Sequence, residues 1–149
     1  MSQFKTHLLA EDPVVVLIGH DTFFRSQIEK MLKQQGLSVF LMSSDRISRE
    51  DKPLKIPEDA YKIIWLYEFN KDNSKNYLNI LKHLEKIKVP TTIISSLTSK
   101  LMTNLDDSNK NLFEKWKERS EKQTQFIVDC NYYLPKANFI FGQNLIFSN

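Results

Sequence analysis

The sequence predicts an α/β fold: a mostly parallel sheet with helices on both faces, three layers in all. Three observations predict it. Val14-Val15-Val16-Leu17-Ile18 is an unbroken apolar run rich in β-branched residues, the pattern of a strand buried on both faces. Gly19 ends that run, and Phe24, Ile28, Met31 and Leu32 then recur at helical spacing. A second apolar run, Leu37–Met42, follows Gly36, so strand, helix and strand fit within about 30 residues, the size of one βαβ unit.

Taken in order, residues 1–12 read as a flexible leader and residues 13–149 as a single domain. Asp12-Pro13 introduces the first strand, Val14–Ile18. A helix is predicted over about Phe23–Gln35, with Gly36 closing its C-terminus. Leu37–Met42 is the second strand. From Ser43 to Asp59 the chain is polar and carries Pro53 and Pro57, which predicts a long loop with room for one short turn of helix. Ala60–Tyr67 is the third strand. Asn73 or Ser74 can cap the next helix, about Lys75–Lys88, whose apolar stripe is Tyr77, Leu78, Leu81, Leu84 and Ile87. Val89-Pro90 ends it, and Thr91–Ser96 is the fourth strand. A loop over Leu97–Ser108 leads to a helix of roughly Asn111–Asp129, with Leu112, Trp116, Phe126 and Ile127 facing inward. Asn131–Asn138 is expected as a loop, and Phe139–Phe141 and Leu145–Phe147 as short strands broken at Gly142. Alternating strands and helices imply parallel pairing.

Composition narrows the function classes. The 149 residues are 41% hydrophobic and 26% charged, which is ordinary for a globular chain. Net charge is +3, from 21 basic and 18 acidic residues, too little to argue for a nucleic-acid surface. Lys110, Lys115, Lys117, Arg119 and Lys122 make one helix basic, but Glu114, Glu118 and Glu121 interleave, as in a solvated helix with i,i+4 pairs. No apolar run is long enough to span a membrane, and residues 1–12 lack a signal-peptide core. Cys130 is the single cysteine, so no internal disulfide forms, and with His7, His20 and His83 it makes no metal-binding spacing. A cytoplasmic location is expected.

Several stretches, in order, resemble the Rossmann part of the short-chain dehydrogenase/reductase superfamily, and within it the nucleotide-sugar epimerase/dehydratase branch. Leu17–Ser26 resembles the glycine-rich turn G-x-x-G-x-x-G, with Phe23 in the usual place for phenylalanine. Asn76–Leu81 followed by Ile93-Ile94-Ser95-Ser96 resembles the helix and strand that deliver the active-site serine. Phe113-x-x-x-Lys117-x-x-x-Glu121 resembles the Y-x-x-x-K helix, and Phe139–Ile146 the late strand that leads toward substrate. The resemblance covers Val14 to Phe147. It implies a Rossmann-like fold and, where the site is retained, NAD(P) held around Gly19, His20, Thr22 and Arg25. Ser96 and Lys117 would be vestiges of the catalytic serine and lysine.

The departures carry chemical consequences. Thr22 and Arg25 stand where the second and third glycines let backbone approach the pyrophosphate and let helix pack on strand. The plainer reading of Arg25 is an exposed helix residue, and of His20 an exposed turn histidine. Ser43 stands where an acid or arginine would meet the ribose, with Asp45 and Arg46 just beyond as surface loop residues. Phe113 occupies the tyrosine position, and phenylalanine has no proton to exchange. The chain also stops near Asn149, where the extended enzymes place a substrate-binding segment. No intact catalytic residue and no bound cofactor are expected. The function these departures suggest is non-catalytic: a Rossmann-like protein acting on a protein partner or by homo-oligomerisation. The Phe-rich tail, Phe139, Phe141 and Phe147, is a candidate exposed patch for it. A minimal NAD(P)- or nucleotide-sugar-binding enzyme is the alternative.

A second resemblance is to a two-component receiver domain. Phe23–Leu32 resembles its first helix, Ser95 its hydroxyl residue, and Tyr133-Leu134-Pro135-Lys136 the end of its fifth strand. The acidic pair would fall on Gly19 and His20, and the acceptor aspartate near Tyr67 and Glu68, so this would be a pseudo-receiver without a Mg²⁺ site. A strand order of 2-1-3-4-5 with a fifth helix would support it. Trp65, Tyr67 and Phe69 alternate along a strand; they could form a ligand wall, and packing in the core or on a sheet face is the expected role.

Overall fold

In the computed structural model, residues 13–69, 71–96 and 109–141 are described; the side chains of Ser96, residues 109–117, 119–120 and Phe141 lie outside that description. Among the described residues five strands and four helices alternate: β1 (Val14–Gly19), α1 (Phe23–Gln34), β2 (Ser38–Ser43), α2 (Ser44–Arg49), β3 (Ala60–Glu68), α3 (Ser74–Glu85), β4 (Thr91–Ser96), α4 (Asn109–Tyr133) and β5 (Asn138–Phe141). The sheet order is β2-β1-β3-β4-β5, and every pair is parallel. This is a three-layer α/β, Rossmann-like architecture. All five strands therefore end at one edge of the sheet, and the order reverses between β1 and β3, the switch point where such folds receive ligands.

The two faces of the sheet are covered differently. On one, Val15, Leu17, Ile64, Leu66 and Ile94 pack against Phe24, Ile28 and Leu32 of α1. On the other, Val16, Ile18, Ile63, Trp65, Tyr67 and Ile93 pack against α2, α3 and α4 through Ile47, Tyr77, Ile80, Leu81, Leu84, Phe126 and Cys130. Trp65 and Tyr67 are core residues as expected, and Phe69, just past the end of β3, is half-buried against that core and lines a cleft; the three rings sit edge-to-face or stacked around Phe126. Met31 was expected in the α1 stripe and is instead 42% exposed. At 100° per residue it lies about 60° from the middle of the Phe24–Ile28–Leu32 stripe, at the margin of the buried face.

Helix ends follow local chemistry. Thr22 caps α1 by accepting from the Arg25 amide. At the other end Gly36 sits at φ +85, and the amides of Gly36 and Leu37 donate to the carbonyls of Lys33 and Leu32, a Schellman closure that needs a residue without Cβ. Asn73 caps α3 through the Asn76 amide. The segment expected as a loop from Ser43 opens with the six-residue α2, capped by Ser43 itself. The loop expected from Asn131 starts later, because α4 runs on to Tyr133. Ile127, expected buried, is half-buried, whereas Phe126 and Cys130 are fully inside. The expected leader, the loop at Leu97–Ser108 and the strand at Leu145–Phe147 lie outside the described residues, as do the side chains of Leu112 and Trp116.

Candidate functional site

The switch point brings together residues from β1, α2, β3 and the loop before α3. The run after Gly19 leaves the sheet at the C-terminal edge, and Thr22 starts α1 there. Ile18 pairs with Trp65, so β3 ends three residues later with Glu68 beside this turn. Glu68 then folds into a tight turn, its carbonyl accepting from the amides of Lys71 and Asp72. That turn returns the Asp72 side chain to the sheet edge, where its Oδ2 accepts from the Glu68 amide at 2.9 Å.

His20 was expected as an exposed turn residue; it is buried, at 7% exposure. Its Nε2–H donates to Asp72 Oδ1 at 2.8 Å, and its Nδ1 faces Asp45 Oδ1 at 3.5 Å. The Asp72 side chain is fully shielded from solvent, while that of Asp45 is 58% exposed. The hydrogen bond to Asp72 outweighs desolvation and raises the His20 pKa above its ordinary 6.5, with Asp45 and Glu68 adding to the effect. The ring bridges β1, α2 and the loop before α3, with a carboxylate facing each of its nitrogens.

Arg25 was expected as an exposed helix residue; only 14% of its side chain is exposed. Its Nη1 donates to the Gly19 carbonyl at 3.2 Å and its Nη2 to Asp21 at 3.4 Å. The guanidinium therefore folds back over the turn. A Cβ built on Gly19 would meet Arg25 Cδ and Leu66, each at 3.4 Å. Where an open glycine turn lets a pyrophosphate approach, this turn is covered by its own arginine. The Thr22 hydroxyl donates to Glu68 Oε2 at 2.9 Å and accepts from the Arg25 amide at 3.4 Å. Burial raises the Glu68 pKa, opposed in part by Thr22 and His20.

Gly19, His20, Thr22 and Arg25 thus meet in one corner, as their sequence spacing implies, and each is engaged by protein groups. Ser43 caps α2 and Asp45 faces His20, so two residues expected merely on a surface loop have structural partners. Ser96 ends β4 and pairs in register with Glu68. Phe113 and Lys117 lie in the first half of α4. The side chains of Ser96, Phe113 and Lys117 are outside the described part. Sequence reasoning did not single out Asp72 or assign Glu68 a role. The signal for Asp72 was slight, an acid just ahead of the Asn73 cap.

The receiver comparison changes at one point. Tyr133-Leu134-Pro135-Lys136 was expected at the end of the fifth strand. It precedes β5, which begins at Asn138, and so lies at the opposite edge of the sheet from Gly19 and Glu68. Beside the corner, a cleft of about 420 Å³ opens between the end of β3, the start of α3 and α4. Among the described residues, no group of three or more His, Cys, Asp and Glu is placed to hold a metal ion. Within the same residues, no helix is long and apolar enough to cross a membrane. No family model, curated protein or solved structure matches the chain.

Proposed function

We propose that this chain is a non-catalytic, Rossmann-like domain, derived from the short-chain dehydrogenase/reductase fold, that acts by self-assembly or by binding a protein partner. The observation that carries this reading is the Arg25 guanidinium on the Gly19 carbonyl, lying across the turn a dinucleotide would need. Phe113 in the tyrosine position and the engaged Thr22 and His20 support it. Among the described residues β2 is an edge strand, and that supports the interaction half. Ser38–Ser43 contains no charge and no proline, and Phe40 and Leu41 are exposed. Edge strands are usually blunted by one of those devices, and an unblunted edge pairs with another strand. A second copy of β2 is the simplest partner, because a two-fold axis places each edge against the other.

Sedimentation of the purified protein tests the reading, with Phe40→Lys as the comparison. A concentration-dependent dimer that the lysine abolishes supports self-assembly. A monomer at all concentrations removes that half and leaves a partner protein. NAD(P)- or nucleotide-sugar-dependent turnover by pure protein overturns the whole reading in favour of a minimal enzyme. The strand order favours a second reading, a pseudo-receiver regulatory domain, since 2-1-3-4-5 is the flavodoxin-like order of receivers. The position of Lys136 ahead of β5 counts against it.

A further inference from the structure

The outer edge of β2 has an order that its exposure alone does not show. β1 and β2 run parallel, in register from Val14↔Ser38 to Gly19↔Ser43. The Ser38 amide donates to the Pro13 carbonyl at 2.9 Å. In a parallel pair, alternate residues of a strand turn N–H and C=O toward the same neighbour. Ser38, Phe40 and Met42 therefore direct theirs to β1, while Val39 and Leu41 turn theirs outward. Among the described residues β2 ends the sheet, so no strand there meets those outward groups.

The side chains divide between the faces. Val39 and Leu41 lie in register with Val15 and Leu17, on the face that α1 covers. Phe40 lies in register with Val16, on the face of α2, α3 and α4. Phe40 and Leu41 are 42% and 39% exposed, so the edge shows a large apolar side chain on each face.

A second copy of this strand answers every one of these features. Ser-Val-Phe-Leu-Met-Ser carries no charge, so the strand meets itself without identical charges set opposite each other. A two-fold axis through Phe40, perpendicular to the sheet, sets Val39 against Leu41 of the second copy, and Leu41 against its Val39. Each pair exchanges both of its N–H···O=C bonds, which uses all the outward groups of Val39 and Leu41. The two Phe40 rings meet as the close, non-hydrogen-bonded pair, with Cα atoms roughly 4.5 Å apart. Both exposed side chains thus gain an apolar neighbour. An axis through Val39 or Leu41 would set Phe40 against Ser38 or Met42 and call on Leu37 or Ser43 for the second pair. The Leu37 amide already donates to the Leu32 carbonyl, and Ser43 caps α2.

We infer that two copies of this chain pair antiparallel along β2, about a two-fold axis at Phe40, into one continuous sheet. This pairing rests on the self-assembly half of the proposed function and gives it an axis and a register. The test uses the full-length protein, by sedimentation and then by disulfide trapping at introduced thiols. Cys130 is buried and takes no part. Val39→Cys and Leu41→Cys, mixed in equal amounts, both keep Phe40. Their Cα atoms face each other at roughly 5.5 Å, within disulfide reach. Leu41→Cys alone places its two thiols on a diagonal, with Cα atoms roughly 7–8 Å apart and beyond that reach. Circular dichroism verifies the fold of each variant. The expected result is a wild-type dimer, and a mixed disulfide that forms roughly tenfold faster than the Leu41→Cys homodimer, read by intact mass. A dimer in which Leu41→Cys alone traps as fast as the mixture, or in which neither traps, overturns the pairing and leaves self-assembly standing. A wild type that stays monomeric at every concentration, its edge left to another segment of the chain or to another protein, overturns both.

Discussion

Two neighbouring places on the same sheet edge treat their polar groups in opposite ways. At the β1–β3 corner, His20, Thr22, Arg25, Glu68 and Asp72 bind one another or the backbone at 2.8–3.4 Å. At the cleft beside it, the wall is aromatic and the lining also holds Lys122, Glu121 and the first residues of α3. The corner has the position of a ligand site in this fold class and the interior of a structural clamp; the cleft has an open site's geometry. A fold of this class keeps its architecture when the switch point is sealed, because the strands are held by their apolar faces and not by what lies at their ends.

The comparison breaks most visibly at the groups that each place stands on. Phe126 touches every ring of the cleft wall, and Phe126→Ala is expected to destabilise the fold by about 3–5 kcal/mol. Asp72→Ala leaves His20 and the Glu68 amide without their buried acceptor, and a similar loss of about 3–5 kcal/mol is expected. Urea unfolding of the two variants measures both; a loss under 1 kcal/mol at Asp72 would mean that the corner is not a clamp.

The corner also makes stability depend on pH. His20 holds its proton more tightly folded than unfolded. Its contribution is complete below the ordinary 6.5 and is lost as pH rises through the higher folded value. Buried Glu68 acts in the same direction from lower pH. Its folded carboxyl keeps a proton above the ordinary 4.5, so ionising it as pH rises also subtracts stability. The urea midpoint should therefore fall with rising pH, and His20→Gln should remove the portion above pH 6.5. A midpoint rising over that range would contradict the assignment.

Smaller effects sharpen the picture. Arg25→Ala should cost about 1–3 kcal/mol, the range for leaving a buried acceptor such as the Gly19 carbonyl unpaired. Gly19→Ala should cost under about 1 kcal/mol, because the added methyl meets Arg25 and Leu66 at ordinary contact distance. A large loss there would mean that the turn still needs a glycine for close approach. Cys130 is buried and its thiol is pushed well above the usual range by desolvation, so thiol reagents should modify it only on unfolding.

Much of this architecture is legible in the chain. β1 and β3 carry apolar runs of five residues and β2 one of four, β4 is marked by Ile93-Ile94 after the Val89-Pro90 stop, and α1 and α3 announce themselves by stripe and cap. The helix α2 is legible only as room for one short turn within the expected loop and cannot be placed, because Ser44–Arg49 has one apolar residue, Ile47, and no periodicity to read. The corner is legible only as a turn. Gly-His-Asp-Thr reads as polar and exposed, and His20 becomes buried through Asp72, 52 residues away. Arg25 likewise reads as a surface cation until the turn is closed and its guanidinium finds the Gly19 carbonyl. Tertiary partners of this kind leave no local spacing in the sequence.

The covered turn is tested most directly by isothermal calorimetry of the purified protein against NAD(H), NADP(H) and a set of nucleotide sugars. A thermal-shift screen comes first, since a ligand at 100 times its dissociation constant would add roughly 2.7 kcal/mol of stability. A sealed corner gives no shift and no heat of binding across the panel. A saturable 1:1 isotherm for any of these ligands, weakened by Arg25→Ala, would show that the guanidinium holds phosphate instead of closing the turn.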